Sequence, residues 1–270
     1  MGLDRVNVPM EEPAKKPVGR PRQDAPKRPV ERNYRQAYAG TVTLHDEEGK
    51  ALHTVRYGRM PQGDARALCA GMGADVAMLL RKRPDLKVER LCDGAPEMHH
   101  LLAAEVNEEK LGTPVNDIVD FWHVMEKLAA AAEVIFGAMS IAHLLRWKLK
   151  LLNTPGAVWR IATELHKSGK EQVQVGKAQP VHEAITYLEN NGERMKYADA
   201  RQKGLPIGSG NTEATCKSLF GLRMKRSGSR WKELTGAHIV HLRALALSDR
   251  WDDGITLALR ELRTPVRAAA

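Results

Sequence analysis

Cysteine is scarce in this chain, which has Cys69, Cys92 and Cys216 among its 270 residues. Thiols so few and so far apart exclude a disulfide framework and a four-cysteine zinc site. Uninterrupted apolar runs approaching the ~20 residues that cross a bilayer are also lacking. The start, Met1 to Met10, has neither the basic residues nor the apolar core of a secretory signal. We therefore expect a cytoplasmic globular protein with reduced thiols, and not a membrane protein.

Negative charge is in deficit, since 33 Asp and Glu residues oppose 42 Lys and Arg residues, for a net charge of +9. An excess of positive charge favours polyanionic partners where it is clustered. The segment 10–36 carries eight Lys/Arg residues interleaved with five prolines. Proline at that density is incompatible with helix and sheet, so the segment is predicted to be extended and basic.

Within that segment, Gly19-Arg20-Pro21-Arg22 is similar to an AT-hook, a short arm that lays arginines into a narrow minor groove. A match over four residues is weak, so a solvated linker is the favoured interpretation.

A second basic cluster, which we call the 217–232 cluster, contains no acid. Its cations are Lys217, Arg223, Lys225, Arg226, Arg230 and Lys232. A solvated helical face usually carries both signs, so a single sign favours contact with phosphates. Phe220 and Trp231 lie in the same stretch and are expected to be available for stacking on bases.

Residue patterning predicts a mixed α/β fold. Strands are predicted at 3–8, 36–45, 51–57, 86–92 and 116–119, the second and third forming a hairpin. Helices are predicted at 63–83, 98–111, 121–152, 158–165, 181–190, 208–224 and 231–248. The stretch 129–201 contains no predicted strand and is interpreted as an all-helical insertion. This order favours a mixed sheet with helices packed against it.

Three acids stand where an α/β sheet exposes side chains. Asp4 lies in the first strand, Asp93 at the carboxyl end of a later strand, and Glu213 in the first turn of a late helix. If the first two strands are neighbours, these carboxylates converge and require cations to offset their repulsion. Oxygen ligands suit Mg²⁺, and two ions roughly 3.5 to 4 Å apart support phosphodiester chemistry.

Each acid also has a structural interpretation. Asp4 is compatible with an ordinary strand-end acid, and Asp93-Gly94 with a turn. Glu213 is compatible with a capping box or with stabilisation of the helix dipole.

Asp120 and His123 form a further candidate site, because an Asp that ends a strand precedes the His by three residues. The spacing is compatible with a hydrogen-bonded pair, a metal-ligand set or a general base. The structural alternative is a His123 that pairs with Glu126 one turn on. His99 and His100 lack cysteines at zinc spacing and are predicted to be surface residues.

Short motifs along the chain match one known family. They are LDRV (3–6), YGRMP (57–61), DGAP (93–96), DFWHV with EKL (120–128), LPIGSG (205–210), EATCK (213–217), and RMKR with RW (223–231). They resemble the prokaryotic insertion-sequence transposases of the ISKra group, which are similar to Mutator-type DDE transposases. The resemblance covers essentially all 270 residues. The block around Glu213 is its most specific part.

The resemblance implies a ribonuclease-H-like catalytic core, in which a mixed sheet is flanked by helices. Its first part would be 1–128, followed by a helical insertion at 129–204, a last core part at 205–250 and a C-terminal tail at 251–270. Such enzymes cut DNA at element ends with water and join the 3′-hydroxyl to a target. They use two Mg²⁺ or Mn²⁺ ions and work as homo-oligomers on DNA, associated with the nucleoid in the prokaryotic cytoplasm.

Carried over to this chain, the resemblance makes Asp4, Asp93 and Glu213 the catalytic metal ligands. Asp120 and His123 would match an accessory motif near the cleaved bond. We take Asp4 rather than Asp120 as the first-rank ligand, because an acid on the first strand beside the Asp93 strand suits this fold. The DNA-binding residues would be Arg20, Arg22, Lys217, Arg223, Lys225, Arg226, Arg230 and Trp231.

Members of that group carry a DNA-binding region before the first strand, whereas three residues precede Asp4 here, so we expect this chain to lack that region. One alternative is therefore a catalytically silent remnant that binds DNA as a competitor or repressor. A ribonuclease-H-like nuclease acting on RNA–DNA hybrids is a third hypothesis, but it leaves the helical insertion unexplained.

Overall fold

A computed structural model describes residues 1–11, 32–169 and 179–262. Its sheet has five strands in the order β3-β2-β1-β4-β5. The strands are β1 Gly2–Glu11, β2 Arg32–His45, β3 Ala51–Arg59, β4 Val88–Cys92 and β5 Val115–Val119. The β1–β2 and β2–β3 pairs are antiparallel, whereas β1–β4 and β4–β5 are parallel. The prediction of a mixed α/β fold is confirmed.

Helices surround the sheet. Those of the first half are α1 Ala65–Lys82, α2 Pro96–Glu105, α3 Glu108–Leu111, α4 Phe121–Phe136 and α5 Ser140–Asn153. They are followed by α6 Ala157–Ser168, α7 Gln179–Asn191 and α8 Tyr197–Gln202. The last group is α9 Gly210–Thr215, a π-helical turn Cys216–Gly221, α10 Leu222–Met224, α11 Glu233–Leu247 and α12 Trp251–Leu262.

Each face of the sheet has its own core. Leu3 of β1 packs with Leu68 and Met72 of α1 and with Leu102 of α2. On the opposite face, alternate residues of β1 pack against the π-helical turn and α11, as the period of two along a strand requires. This second core contains Val6, Val8, Met10, Leu219, Phe220, Met224 and Val240.

The helices between β5 and α9 have a separate core. Leu128 of α4, Trp147 of α5, Ile161 of α6 and Leu188 of α7 are all buried in one cluster. Residues 129–201 hold helices and no strand in the part of this stretch that the structure describes. The prediction that this stretch is helical and contains no strand is confirmed for its described residues.

Two predicted helices are each divided in two. The helix predicted at 98–111 is interrupted before α3, where the side chain of Asn107 caps a new N-terminus. The helix predicted at 121–152 is interrupted at Gly137, whose φ of +49° ends α4. Apolar periodicity continues through both breaks and therefore does not reveal them.

The boundaries at two other places also differ from the prediction. The predicted C-terminal tail begins with helix α12, whose apolar side chains include the exposed Leu257 and Leu262. The ends of the basic segment 10–36 belong to strands, since Glu11 of β1 pairs with Arg32 of β2. The rest of that segment lies outside the described residues, and Arg20 and Arg22 lie there.

One stretch, Phe121–Asn153, is long and apolar enough to cross a membrane by length and composition alone. It consists of α4 and α5 with the break at Gly137 between them, and its most apolar window is 17% buried. A single such stretch is weak evidence of a membrane span.

The packing of α11 on β3 depends on a glycine. A Cβ at Gly58 would lie 2.4 Å from Cγ1 of Val240. We expect Gly58→Ala to lower the free energy of unfolding by about 1–3 kcal/mol through overpacking. Gly71, in α1, has no neighbouring atom within 4 Å of the same position and is a matched control. Gly71→Ala should raise the free energy of unfolding by about 0.4–1 kcal/mol. Urea denaturation of both variants tests this, and equal effects would contradict the contact.

Candidate functional site

Asp4 lies on β1, and Asp93 directly follows the neighbouring parallel strand β4. The strands that carry them are neighbours, and Gly2 of β1 is paired with Leu91 of β4. Asp4 follows Gly2 by two residues and Asp93 follows Leu91 by two residues. Because the strands are parallel, the two acids are level along the sheet.

Asp120 continues this row on the next strand. Cys92 of β4 is paired with Val119 of β5, and Asp93 and Asp120 are the residues that directly follow this pair. The backbone N–H of Asp120 donates to the carbonyl of Cys92 at 2.8 Å. Three acids therefore follow one another across β1, β4 and β5 at the same level.

The side chain of Asp120 is fully buried and fixes two segments. Its Oδ1 accepts hydrogen bonds from the N–H groups of Trp122 at 2.7 Å and His123 at 2.9 Å, which makes it the N-cap of α4. Its Oδ2 accepts from the N–H of Ser209. In addition, the N–H of Phe121 donates to the carbonyl of Ile207 at 2.9 Å. The chain before α9 is thus tied to the start of α4.

This connection also places Glu213. The carbonyl of Ser209 accepts from the N–H of Glu213 at 3.1 Å. The hydroxyl of Thr212 is 2.8 Å from that of Thr41 on β2, in a buried contact. A Cβ at Gly2 would lie 2.0 Å from the Thr212 hydroxyl oxygen, so α9 approaches β1 as closely as a glycine permits. Glu213 is consequently held beside the row of acids.

Asp120, His123 and Glu213 form a compact group of possible metal ligands. One ligand atom from each lies within 4.8 Å of the other two. Asp120 is buried, whereas His123 and Glu213 are partly exposed. Two carboxylates and an imidazole can hold a divalent cation that accepts mixed oxygen and nitrogen ligands.

Asp120 and His123 perturb each other's ionisation. Nδ1 of His123 lies 3.2 Å from Oδ1 of Asp120. This contact raises the pKa of His123 to about 9 against the opposing effect of burial. Burial disfavours ionisation of Asp120, but its contacts with His123 and Ser209 outweigh burial and lower its pKa to about 2. At neutral pH the pair is ionic, so a metal that binds the imidazole nitrogen must displace a proton.

Asp4 is not a member of this group, which is the only one of its kind among the residues described. Its Oδ1 accepts from the N–H of Arg5 at 2.6 Å, and its Oδ2 from the thiol of Cys216 at 3.3 Å. Cys216 follows Glu213 by three residues and lies on the same helical face. Burial, followed by the neighbouring Asp4, raises the pKa of Cys216 and keeps the thiol neutral. The Cys216 thiol therefore binds Asp4 and lies about one helical turn from Glu213.

Asp93 is also outside the compact group and forms a turn. Its Oδ1 accepts from the N–H of Ala95 at 2.9 Å, and Gly94 has a φ of +90°. The hydroxyl of Tyr187 on α7 donates to its carbonyl at 2.5 Å. Asp93 and His123 both line a cavity of about 400 Å³, which we call the small cavity. The turn interpretation is correct for this Asp-Gly pair, and the residue lines the same cavity as His123.

The cations of the 217–232 cluster are exposed, as a phosphate-binding surface requires. Lys217, Arg223, Lys225, Arg226, Arg230 and Lys232 are all exposed. The expectation that Phe220 is available for stacking is wrong, because its side chain is completely buried. Trp231 is half-buried, since its indole N–H donates to the carbonyl of Met224 at 3.1 Å and Arg223 lies over its ring.

Several residues at the site were not found from the sequence. Trp122 is 54% exposed between Asp120 and His123, with the Lys148 ammonium 5.2 Å from its ring centre. Tyr187 comes from a helix far along the chain and has no local motif. His99 is partly exposed, and its Nε2 lies 2.6 Å from Oδ2 of Asp117, a contact that was not predicted.

Comparison with known proteins identifies no relative of this chain. No protein-family model matches the chain. No curated protein and no solved structure matches it.

Asp120 has a measurable structural role. Asp120→Ala removes the N-cap of α4 and leaves the Ser209 N–H without its acceptor. We expect the free energy of unfolding to fall by about 2–4 kcal/mol. Asp120→Asn keeps an N-cap oxygen but loses the charge, so its loss should be smaller. Chemical denaturation of both variants at pH 7 measures this, and an unchanged Asp120→Ala would contradict the assigned network.

The same pair predicts a pH dependence of stability. The lowered pKa of Asp120 stabilises the fold above the ordinary Asp value of about 4, and this contribution is lost as the pH falls through about 2. The raised pKa of His123 stabilises the fold below its ordinary value of 6.5, and this contribution is lost as the pH rises through about 9. Denaturation from pH 3 to 9 should give a flatter profile for Asp120→Asn than for the parent chain.

Proposed function

We propose that this chain is a DDE-type transposase catalytic domain of the ISKra group, which cleaves DNA at insertion-sequence ends and transfers the strands to a target. The observation that carries the proposal is the level row of Asp4, Asp93 and Asp120 across three neighbouring strands, with Glu213 brought to it by α9. Acids gathered in this way from four distant parts of the chain are typical of metal-dependent phosphoryl transfer.

The fold supports the same proposal. The sheet order β3-β2-β1-β4-β5, with helices on both faces, is compatible with a ribonuclease-H-like core. The helices from α5 to α8 separate that core from α9, where the resemblance requires an insertion. A nuclease acting on RNA–DNA hybrids would share the sheet but has no need of the insertion.

The donor set fits a divalent cation. Asp120, His123 and Glu213 would hold one ion, and Asp4 and Asp93 are proposed as ligands in a site for two Mg²⁺ or Mn²⁺ ions. The imidazole suits Mn²⁺ better than Mg²⁺, which prefers oxygen ligands alone. Such ions, when bound, activate the attacking oxygen and stabilise the leaving one. The protein's own part is to orient His123 through Asp120, and to keep the Cys216 thiol neutral beside Asp4.

The 217–232 cluster would hold the DNA backbone. It directly follows the helix that carries Glu213, so a strand bound by its cations would run close to the acids. Phosphate contacts of this type position DNA without reading its sequence. Assembly of the protein as a homo-oligomer on DNA is part of the same proposal.

A second candidate is the DNA-binding remnant without catalysis. It is favoured by one observation, namely that Asp4 and Asp93 are engaged with Cys216 and Ala95 and lie outside the compact ligand group. The remnant would keep the exposed cations and bind DNA with the same dependence on salt.

Catalysis is tested by nicking of supercoiled plasmid DNA with Mg²⁺ or Mn²⁺. We expect the parent chain to nick DNA only with a metal, and Asp93→Asn and Glu213→Gln each to reduce nicking by about 10²-fold or more. Glu108→Gln, an exposed acid at the start of α3, is the matched control and should retain activity. Unchanged nicking by the two site variants would contradict the proposal. Binding of DNA without any nicking would select the remnant.

The DNA surface is tested by the salt dependence of binding. The double variant Lys225→Ala with Arg226→Ala should reduce the slope of log affinity against log salt by about 1 to 2. Arg81→Ala with Lys82→Ala removes two exposed cations at the end of α1 and should leave the slope unchanged. Fluorescence anisotropy with a labelled duplex measures both, and equal slopes in the two double variants would refute the assigned surface.

A further inference from the structure

A groove of about 670 Å³ lies between α2 and α7, next to the candidate site. Pockets that hold small ligands measure about 300–1,000 Å³. Gly94, Lys127 and Tyr187 line both this groove and the small cavity that contains Asp93 and His123. The two spaces are therefore adjacent, and a ligand in the groove would extend toward the candidate metal ligands.

The two spaces differ in charge. The small cavity is lined by two acids, Asp93 and Glu126, and by two basic residues, His123 and Lys127. The groove is lined by Lys127 and Arg194 and has one acid, Glu183, whose carboxylate is 3.0 Å from the Lys127 ammonium. Positive charge is therefore in excess in the groove, whereas acids and bases are equal in number in the small cavity.

The groove also has flat rings and polar groups. The imidazoles of His99 and His100 lie with ring centres 5.6 Å apart, and His99 is held by Asp117. Thr186 and Asn190 of α7 are exposed and line the opposite wall, and each can donate and accept hydrogen bonds.

The walls of the groove are held in place by hydrogen bonds. The Tyr187 hydroxyl donates to the Asp93 carbonyl, which joins α7 to the turn after β4. The Asn191 amide donates to the Tyr187 carbonyl at 2.9 Å, and the Arg194 guanidinium donates to the Asn191 side chain. A groove fixed before binding costs little ordering of side chains when it is filled.

We propose that this groove binds one nucleotide of a single-stranded DNA segment that leads to or from the metal ligands. The inference rests on the proposed function for the identity of the nucleic acid. A nucleotide combines a phosphate, a flat base and hydrogen-bonding edges. Arg194 and Lys127 match the phosphate, the imidazoles match the base, and Thr186 and Asn190 match its edge. The groove has the volume of one small ligand and takes a single strand rather than a duplex.

The first test fills the groove. Thr186→Trp places a large ring at an exposed position of the wall and should weaken the affinity for a labelled single-stranded oligonucleotide by about tenfold. Fluorescence anisotropy with EDTA present measures binding without cleavage. Glu189→Trp introduces the same ring on α7 outside the groove lining, where it removes only an exposed pair with His166, and should leave the affinity unchanged. Equal affinities of the two variants would overturn the proposal.

A second variant covers the case in which Thr186→Trp does not fold. Arg194→Gln keeps a hydrogen-bonding side chain but loses the cation. It should weaken single-strand binding and reduce its salt slope by about 1, while duplex binding through the 217–232 cluster is unchanged. An unchanged slope for the single strand would overturn the role of Arg194 and with it the proposed site.

Two further arms separate the possible outcomes. A free deoxynucleoside monophosphate that displaces the oligonucleotide at equal concentration would show a mononucleotide site and overturn the strand assignment. If duplex DNA is bound and nicked but Thr186→Trp binds single strands normally, the groove assignment fails and the proposed function stands. If the parent chain binds neither single-stranded nor duplex DNA, both fail.

Discussion

The buried carboxylate of Asp120 is the interaction on which the arrangement of the site depends. It begins α4 through two backbone N–H groups and receives a third from Ser209, almost ninety residues further along the chain. Ser209 in turn supplies the carbonyl that starts the turn containing Glu213. A charged group enclosed by the protein is tolerated because these donors satisfy it. This connection and the packing of Thr212 against β1 and β2 together fix the position of Glu213 relative to His123.

This connection gives Asp120 two roles that the sequence does not separate. The spacing of Asp120 and His123 suits a helix N-cap as well as a ligand pair, and the structure combines the two. Three N–H donors fix the orientation of this carboxylate, so an ion would have to bind where the His123 and Glu213 ligand atoms already lie close to it. His123 and Glu213 are partly exposed, whereas Asp120 is buried.

The general fold could be predicted from local patterns. Alternation identified β1, and two β-rich runs separated by an acidic turn identified β2 and β3. The strands predicted to end at Asp93 and Asp120 correspond to β4 and β5. The neighbouring positions of β1 and β4 were a geometric condition of the site hypothesis, and the sheet fulfils it. Periodicity failed at Gly137 and Asn107, because a helix break there changes the backbone without changing which residues are apolar.

The details of the site were harder to predict from the sequence. Asp4, Asp93, Asp120, His123 and Glu213 were all candidates from the sequence. Asp120, His123 and Glu213 have ligand atoms within 4.8 Å of one another, whereas Asp4 and Asp93 lie outside that group. Side-chain contacts from remote segments decide which of these residues lie close together. Cys216 engages Asp4, and Tyr187 fixes the turn of Asp93. No local motif encodes such partners. The burial of Phe220 was missed for the same reason, because a basic stretch conceals its apolar face.

The π-helical turn Cys216–Gly221 lies between Glu213 and most of the exposed cations. Such a turn accommodates one residue more than an α-helical turn, and each residue of an α-helix rotates the next by about 100°. Deleting one residue here would rotate Leu219 and Phe220 out of their packing and carry the following arginines to another side of the molecule. The length of this short turn therefore determines the angular relation between the acid and the basic surface, so insertions and deletions should be far less tolerated there than in the neighbouring loops.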